Sequence, residues 1–198
     1  MSIALVAGLG NPGREYAQTR HNLGWSVVEA LARKHGLAWK GQAALQVETA
    51  RWEPAPGRVC WLAKPLSFMN ESGRPIAALA RYYQLAPEQV AAVYDDLTLD
   101  CGRIRVTTSG SAGGHNGVAS LLEHLGEGFA RYRLGIGPKE PAEMDLKDYV
   151  LGRFTSDQLV IIEQKREPHV AGLELLIASG PEQAMNRLNR REPPEPPS

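Results

Sequence analysis

At 198 residues, with 43% hydrophobic and 22% charged side chains, the chain suits one soluble globular domain with its own core, and its longest apolar runs are too short to span a bilayer. The 22 basic and 22 acidic residues cancel, so any polyanion must be met by a local patch rather than by the overall field. Two cysteines, Cys60 and Cys101, are too few for a disulfide framework and lack metal-ligand spacing, and no basic and apolar leader precedes the first apolar run, so a reducing cytoplasm is the expected setting.

The first element is the apolar run Ile3–Ala7, read as a strand, followed by GLGNPGREYAQTRHNLGW from Gly8 to Trp25. Gly8, Gly10 and Gly13 spell the dinucleotide fingerprint G-x-G-x-x-G, which works when the glycines open a helix whose free N–H groups meet a pyrophosphate. Pro12 removes one of those donors, and residues 14–21 carry no apolar stripe. The helical pattern begins only near Asn22, with Leu23, Val27, Val28, Leu31 and Ala32 on one face, and runs to about His35. Glycines and helix are uncoupled, so no dinucleotide is expected.

Further along, the runs Leu45–Ala50 and Val59–Ala63 predict a hairpin at a sheet edge, with Cys60 in the core. KPLSFMNESG then leads into a helix over Pro75–Gln84, with Pro75 in its first turn and Ser72 just before it. The strand Val90–Tyr94 ends on Asp95 and Asp96. The strand Ile104–Thr108 follows, and SGSAGGHNG precedes a helix over Val118–Leu125 for which His115 and Asn116 are cap candidates. The last strand is Tyr132–Ile136. Arg103 with Arg105, and Arg131 with Arg133, alternate near these two strands and are the candidate basic patches, or else solvated strand faces. A long helical pattern over Thr155–Ser179 is expected to kink or split at Pro168, and Gly180-Pro181 restarts a short helix through Leu188. The Pro-rich 191–198 is expected to be disordered, leaving residues 1–190 as a single domain. Interspersed strands and helices predict a three-layer α/β domain with a mixed, mostly parallel central sheet flanked by helices.

Open α/β sheets bind ligands beyond the carboxyl ends of their strands, where this chain places Asn11 and Arg20-His21-Asn22, then Phe68, Met69 and Asn70, then Asp95 and Asp96, then His115 and Asn116. Histidine with an adjacent carboxylate and several amides suits general-base activation of water: the carboxylate orients the ring, and amides donate to a developing oxyanion. Neither cysteine is poised as a nucleophile. Each residue also has a structural alternative: a turn at Asn11-Pro12-Gly13, a helix entry at His21-Asn22, core filling by Phe68-Met69, a helix cap at His115-Asn116. Alternation allows only one of Asp95 and Asp96 to reach His21, and periodicity does not choose between them.

GLGNPGREYAQTRHNLGW, KPLSFMNESG, YDDLTLDCGRIR, GSAGGHNGVASLLEHLG and YRLGIGP, in this order, resemble the bacterial-type peptidyl-tRNA hydrolase family, from Ile3 to about Leu188. The resemblance implies a monomeric esterase without metal or cofactor. Such an enzyme cuts the ester between a peptide and the 3′-terminal ribose of tRNA, and so recycles tRNA dropped during translation. It implies His21 as general base, Asp95 as its orienting carboxylate and Asn11 as a residue that helps place the ester. Tyr16, Phe68, Met69, Asn70 and Asn116 match positions that bind or line the path of the substrate. Arg105 and Arg133 match basic positions for the tRNA phosphates, whereas a further basic position of relatives is Thr107 here, and Tyr94 stands where some relatives have a histidine. A noncatalytic RNA-binding role on the same fold is the alternative, and the presence of Asn11, His21, Asn70, Asp95 and Asn116 favours catalysis.

Overall fold

The computed structural model of the chain describes residues 2–190, so the Pro-rich tail lies outside the described residues. Seven strands form one sheet: β1 (Leu5–Gly8), β2 (Trp39–Gln42), β3 (Val47–Ala55), β4 (Arg58–Pro65), β5 (Val90–Asp100), β6 (Ile104–Thr107) and β7 (Ala130–Gly137), in the spatial order β2-β3-β4-β1-β5-β7-β6. The central four, β4, β1, β5 and β7, run parallel; β2 and β3 at one edge and β6 at the other pair antiparallel. The β3–β4 pair is the expected hairpin. Among the described residues five α-helices accompany the sheet: α1 (Leu23–Lys34), α2 (Gly73–Tyr82), α3 (Asn116–His124), α4 (Leu146–Leu151) and α5 (Ser156–Leu188).

Strand alternation divides the core in two. Val6, Ala91, Val93, Tyr132 and Leu134 pack with α1 and α5 through Val28, Leu31, Leu173 and Leu176. Their chain neighbours Leu5, Ala7, Ala92 and Tyr94 pack on the other face with α2 and α3 through Ile76, Leu79 and Leu121. Each fully buried Leu, Val or Ile contributes about 1.5–3 kcal/mol relative to exposure. The result is a helix–sheet–helix sandwich whose parallel strands all deliver their carboxyl ends to one rim.

Two short elements escape the sequence pattern. β2 is a half-exposed edge strand, and α4 has only six residues, too few for a helical period to register. The expected break at Pro168 is corrected: the backbone stays helical there and leaves helical geometry at Gly180, whose φ is 81°. Pro168 and Gln164, whose carbonyl the missing N–H would have met, are both exposed, so the freed acceptor is open to solvent.

Gly24 fixes how the site is seated. A Cβ there would lie 2.2 Å from the Val93 carbonyl oxygen and 2.7 Å from that of Leu9. Only glycine lets the first turn of α1 press onto β1 and β5, which sets the preceding 3-10 turn, Arg20–Asn22, over the middle of β5, a strand that continues past the expected end at Tyr94 to Asp100.

Candidate active site

β1 delivers Asn11 to the rim, where three bonds lock it. Asn22 clamps the Asn11 main chain from both sides, its Oδ1 accepting from the Asn11 N–H and its Nδ2 donating to the Asn11 carbonyl, both at 2.9 Å. The Asn11 side-chain Oδ1 accepts from the Met69 N–H at 2.7 Å. With its oxygen occupied, the Asn11 amide has its NH2 group left as a donor.

His21 sits in the 3-10 turn, 7% exposed, with its Nδ1 2.9 and 3.0 Å from the two carboxylate oxygens of Asp95. The turn is held from the far end of the chain. Arg20 is buried, donates to the Tyr149 carbonyl at 3.0 Å and to Gln158 Oε1 at 2.8 Å, and stacks its guanidinium 4.1 Å from the centre of the Tyr149 ring. Its own N–H meets the Gly152 carbonyl at 3.0 Å.

Asp95 also receives His115 Nε2, at 3.1 Å on Oδ1. His115 caps α3 at the same time, its Nδ1 accepting from the Val118 N–H at 3.3 Å. An acceptor at Nδ1 places the ring hydrogen on Nε2, so both His115 nitrogens are engaged and its tautomer is set. His21 differs: Nδ1 donates to Asp95, and Nε2 has no partner among the described residues. Burial by itself would push the Asp95 carboxyl up, but the facing His21 and His115 imidazoles hold it well below the usual carboxylate range. Tyr94 packs edge-on against His115 with ring centres 4.9 Å apart, and burial pushes its hydroxyl up to about 12, so it stays protonated.

These residues line one cleft of about 810 Å³. Tyr16, Phe68, Met69, Asn70 and Asn116 are on its walls, with Phe68 59% exposed and edge-on to Tyr16 at 6.3 Å. Leu97, Val150 and Leu151 give it an apolar far side. His21, Asp95 and His115 bring one ligand atom each within 4.8 Å of one another, the spacing at which a cation is held. His21 Nδ1, the Asp95 oxygens and both His115 nitrogens are already matched donor to acceptor, a pattern a metal would have to displace, and among these atoms His21 Nε2 alone lacks a partner within the described residues.

The two Asp candidates part as alternation requires. Asp95 takes the histidines, while Asp96 accepts from Arg133 Nε at 2.5 Å. Arg133 lines the cleft, and Arg105 stands directly opposite it on β6, exposed and outside the cleft lining. Arg131 is not a surface cation: it is 4% exposed, and its guanidinium donates to the carbonyls of Gly110 and Ser111, the latter at 2.7 Å, tying down the glycine-rich loop before His115. Reading from sequence placed Arg20 and Asn22 beside His21 but gave them no supporting role, and it missed the double engagement of His115; SGSAGGHNG marked His115 as a cap, and the cap bond exists, but nothing local announces its carboxylate. Cys60 is buried, and its thiol is pushed up to about 12 by burial, which leaves it inert; Cys101 is half-buried, its thiol also raised by burial.

Fold and site together describe an α/β protein with two histidines, a carboxylate and several amides gathered in one cleft along the carboxyl-end rim of its parallel strands. The model of the peptidyl-tRNA hydrolase family matches residues 5–196. A peptidyl-tRNA hydrolase of Gloeobacter violaceus is 41% identical over 200 residues, covering 99% of this chain and all of the relative, and one of Mycobacterium tuberculosis is 44% identical over 186 residues, covering 93% and 96%. The crystal structure of peptidyl-tRNA hydrolase from Acinetobacter baumannii superimposes with a TM-score of 0.88 at 36% identity, over 96% of both chains. The chain belongs to the peptidyl-tRNA hydrolase family. No helix among the described residues is long and apolar enough to cross a membrane.

Proposed function

We propose that the chain hydrolyses the ester joining a peptide to the 3′-terminal ribose of tRNA, as a cytoplasmic monomer, with His21 as general base and no covalent intermediate. The observation that carries the assignment is the inequality of the two histidines. His115 has both nitrogens engaged, whereas His21 is oriented through Nδ1 by Asp95 and keeps Nε2 free to take a proton from water. Water deprotonated at Nε2 attacks the ester carbonyl, the NH2 of Asn11 donates to the oxygen as charge develops, and the ribose hydroxyl leaves with the proton. Asn70 and Asn116 meet the peptide amide, and Tyr16, Phe68 and Met69 contact the aminoacyl side chain.

Selection against free aminoacyl-tRNA follows from what is already paired. Asp95 and Asp96 are committed to the histidines and to Arg133, so neither is left for a substrate ammonium, and Asp145 on the exposed far wall caps α4 through the Lys147 N–H. Arg105 and Arg133 contact tRNA phosphates, which position without reading sequence. The test is hydrolysis of N-acetyl-aminoacyl-tRNA beside free aminoacyl-tRNA, with folded His21→Ala as control. The reading expects cleavage of the blocked substrate only, and a loss of about 10²–10⁴-fold in the variant. Equal cleavage of both substrates, or wild-type turnover by His21→Ala, overturns it.

A further inference from the structure

We infer that Asp96 is a positioning residue for tRNA engagement: it holds the Arg133 guanidinium in a fixed pose at the cleft wall. The inference rests on the proposed contact of Arg133 with tRNA phosphate. Alternation along β5 turns Asp96 away from His21, onto the face that Arg133 shares from the neighbouring strand β7. There Asp96 Oδ2 accepts from Arg133 Nε at 2.5 Å. Its Oδ1 accepts from the N–H of Thr98 at 2.8 Å and from the Thr98 hydroxyl at 2.6 Å, and that hydroxyl in turn accepts from Arg133 Nη2 at 3.3 Å. The ring of contacts closes on itself. Asp96 is 9% exposed, so the pair is only partly screened, and the Arg133 side chain keeps 22% exposure.

Only one edge of the guanidinium is consumed by this ring. Nη1 has no partner among the described residues, and a planar fork anchored at Nε presents its remaining N–H groups in a set direction. Arg105, in register with Arg133 across the antiparallel β6–β7 pair, makes no hydrogen bond or ion pair among the described residues. A fixed cation beside a free one matches a phosphate that must be placed before the ester can reach His21.

A plain electrostatic role predicts the opposite sign. If Asp96 only neutralised two facing arginines, Asp96→Asn would raise the local charge by one and tighten tRNA binding. Positioning predicts weaker binding, because a released arginine must be immobilised afresh, which costs about 2- to 13-fold in KM. The experiment measures KM and kcat on N-acetyl-aminoacyl-tRNA over a range of salt for wild type, Asp96→Asn, Arg133→Ala and the double variant, with thermal melting as the folding control. The expected result is a raised KM with kcat retained in Asp96→Asn, and no further rise in the double variant over Arg133→Ala. Rescue of KM in Asp96→Glu, whose longer carboxylate can still reach Arg133 Nε, would add support. If Arg133→Ala raises KM and flattens the salt slope while Asp96→Asn leaves KM equal to or below wild type, the positioning role is overturned and the phosphate contact stands. If Arg133→Ala leaves both KM and slope unchanged, the phosphate contact itself falls and the inference with it.

Discussion

Replacing Asn22 by alanine removes a residue that touches no substrate in the proposed reaction yet sets the pose of one that does. Both of its bonds, at 2.9 Å, go to the Asn11 main chain, and Asn22 is 3% exposed. The variant strands one N–H and one carbonyl in a buried setting. Each stranded group costs about 1–3 kcal/mol, so with partial relief from water entering the small void the loss is about 2–4 kcal/mol. Set against a typical total of about 5–15 kcal/mol, the protein should remain folded at 25 °C and show a lower urea midpoint with an unchanged m-value. Activity should suffer as well, because the bond from the Met69 N–H to Asn11 Oδ1 then acts on an unclamped loop; a displacement of the order of 1 Å costs about 10²-fold. Asn22→Asp is the informative companion: it keeps the acceptor for the Asn11 N–H but turns a second oxygen toward the Asn11 carbonyl. Urea titration followed by circular dichroism gives the stability change, and steady-state hydrolysis of N-acetyl-aminoacyl-tRNA gives kcat/KM. A stability change under about 0.5 kcal/mol together with unaltered kcat/KM in Asn22→Ala would refute the clamp.

Two further outcomes follow from the same geometry. In Asp95→Asn the amide still accepts from His115 through oxygen but presents N–H groups to His21 Nδ1, forcing that ring toward the tautomer with hydrogen on Nε2; kcat should fall about 10²–10⁴-fold without loss of fold, and nitrogen NMR should report the exchanged tautomer, whereas near-normal turnover would sink the orienting role. His169 is 1% exposed, bonded through Nε2 to the Gly102 carbonyl at 2.9 Å, and burial holds it below the ordinary imidazole range. Because the unfolded chain takes that proton first, its contribution to stability is full above about pH 6.5 and is lost as pH falls through the lowered folded value, at up to about 1.4 kcal/mol per pH unit. His169→Gln should therefore flatten the stability profile on the acid side of about pH 6.5, and a slope equal to wild type in urea titrations at stepped pH would contradict the assignment.

What could be read from the chain, and what could not, divides by distance along it. β1, β4 and β5 are legible because runs such as Leu5-Val6-Ala7 and Val90–Tyr94 are apolar on both faces, as strands between two helix layers must be. α1 is legible because Leu23, Val27, Val28 and Leu31 keep a helical period. The candidate site could be assembled because its residues fall just after strands and match five family motifs. Its wiring could not. Arg20 meets Gln158 and Tyr149, 138 and 129 positions away, and Asp96 meets Arg133 at 37; no local pattern reports such pairs. Arg131 and Arg133 look alike on an alternating strand, and only the placement of the Gly110–Ser111 carbonyls makes one a buried anchor and the other a cleft cation. Periodicity likewise left Asp95 and Asp96 open, because two adjacent identical residues cannot encode the phase of β5 relative to α1, and only the family resemblance favoured Asp95.

The tie between Arg20 and the helices after β7 has a consequence for how the protein comes into being. His21 and Asp95 are made early, yet the turn holding His21 is fastened by Gly152, Tyr149 and Gln158, and β7 must be laid between β5 and β6 before Arg131 can anchor the glycine-rich loop. A growing chain reaches the end of its first hundred residues with His21 and Asp95 present and their supports unmade. The surroundings of His21 are therefore completed late: its turn is fastened only after Tyr149, Gly152 and Gln158 have been made and have folded back onto Arg20, more than a hundred positions further along.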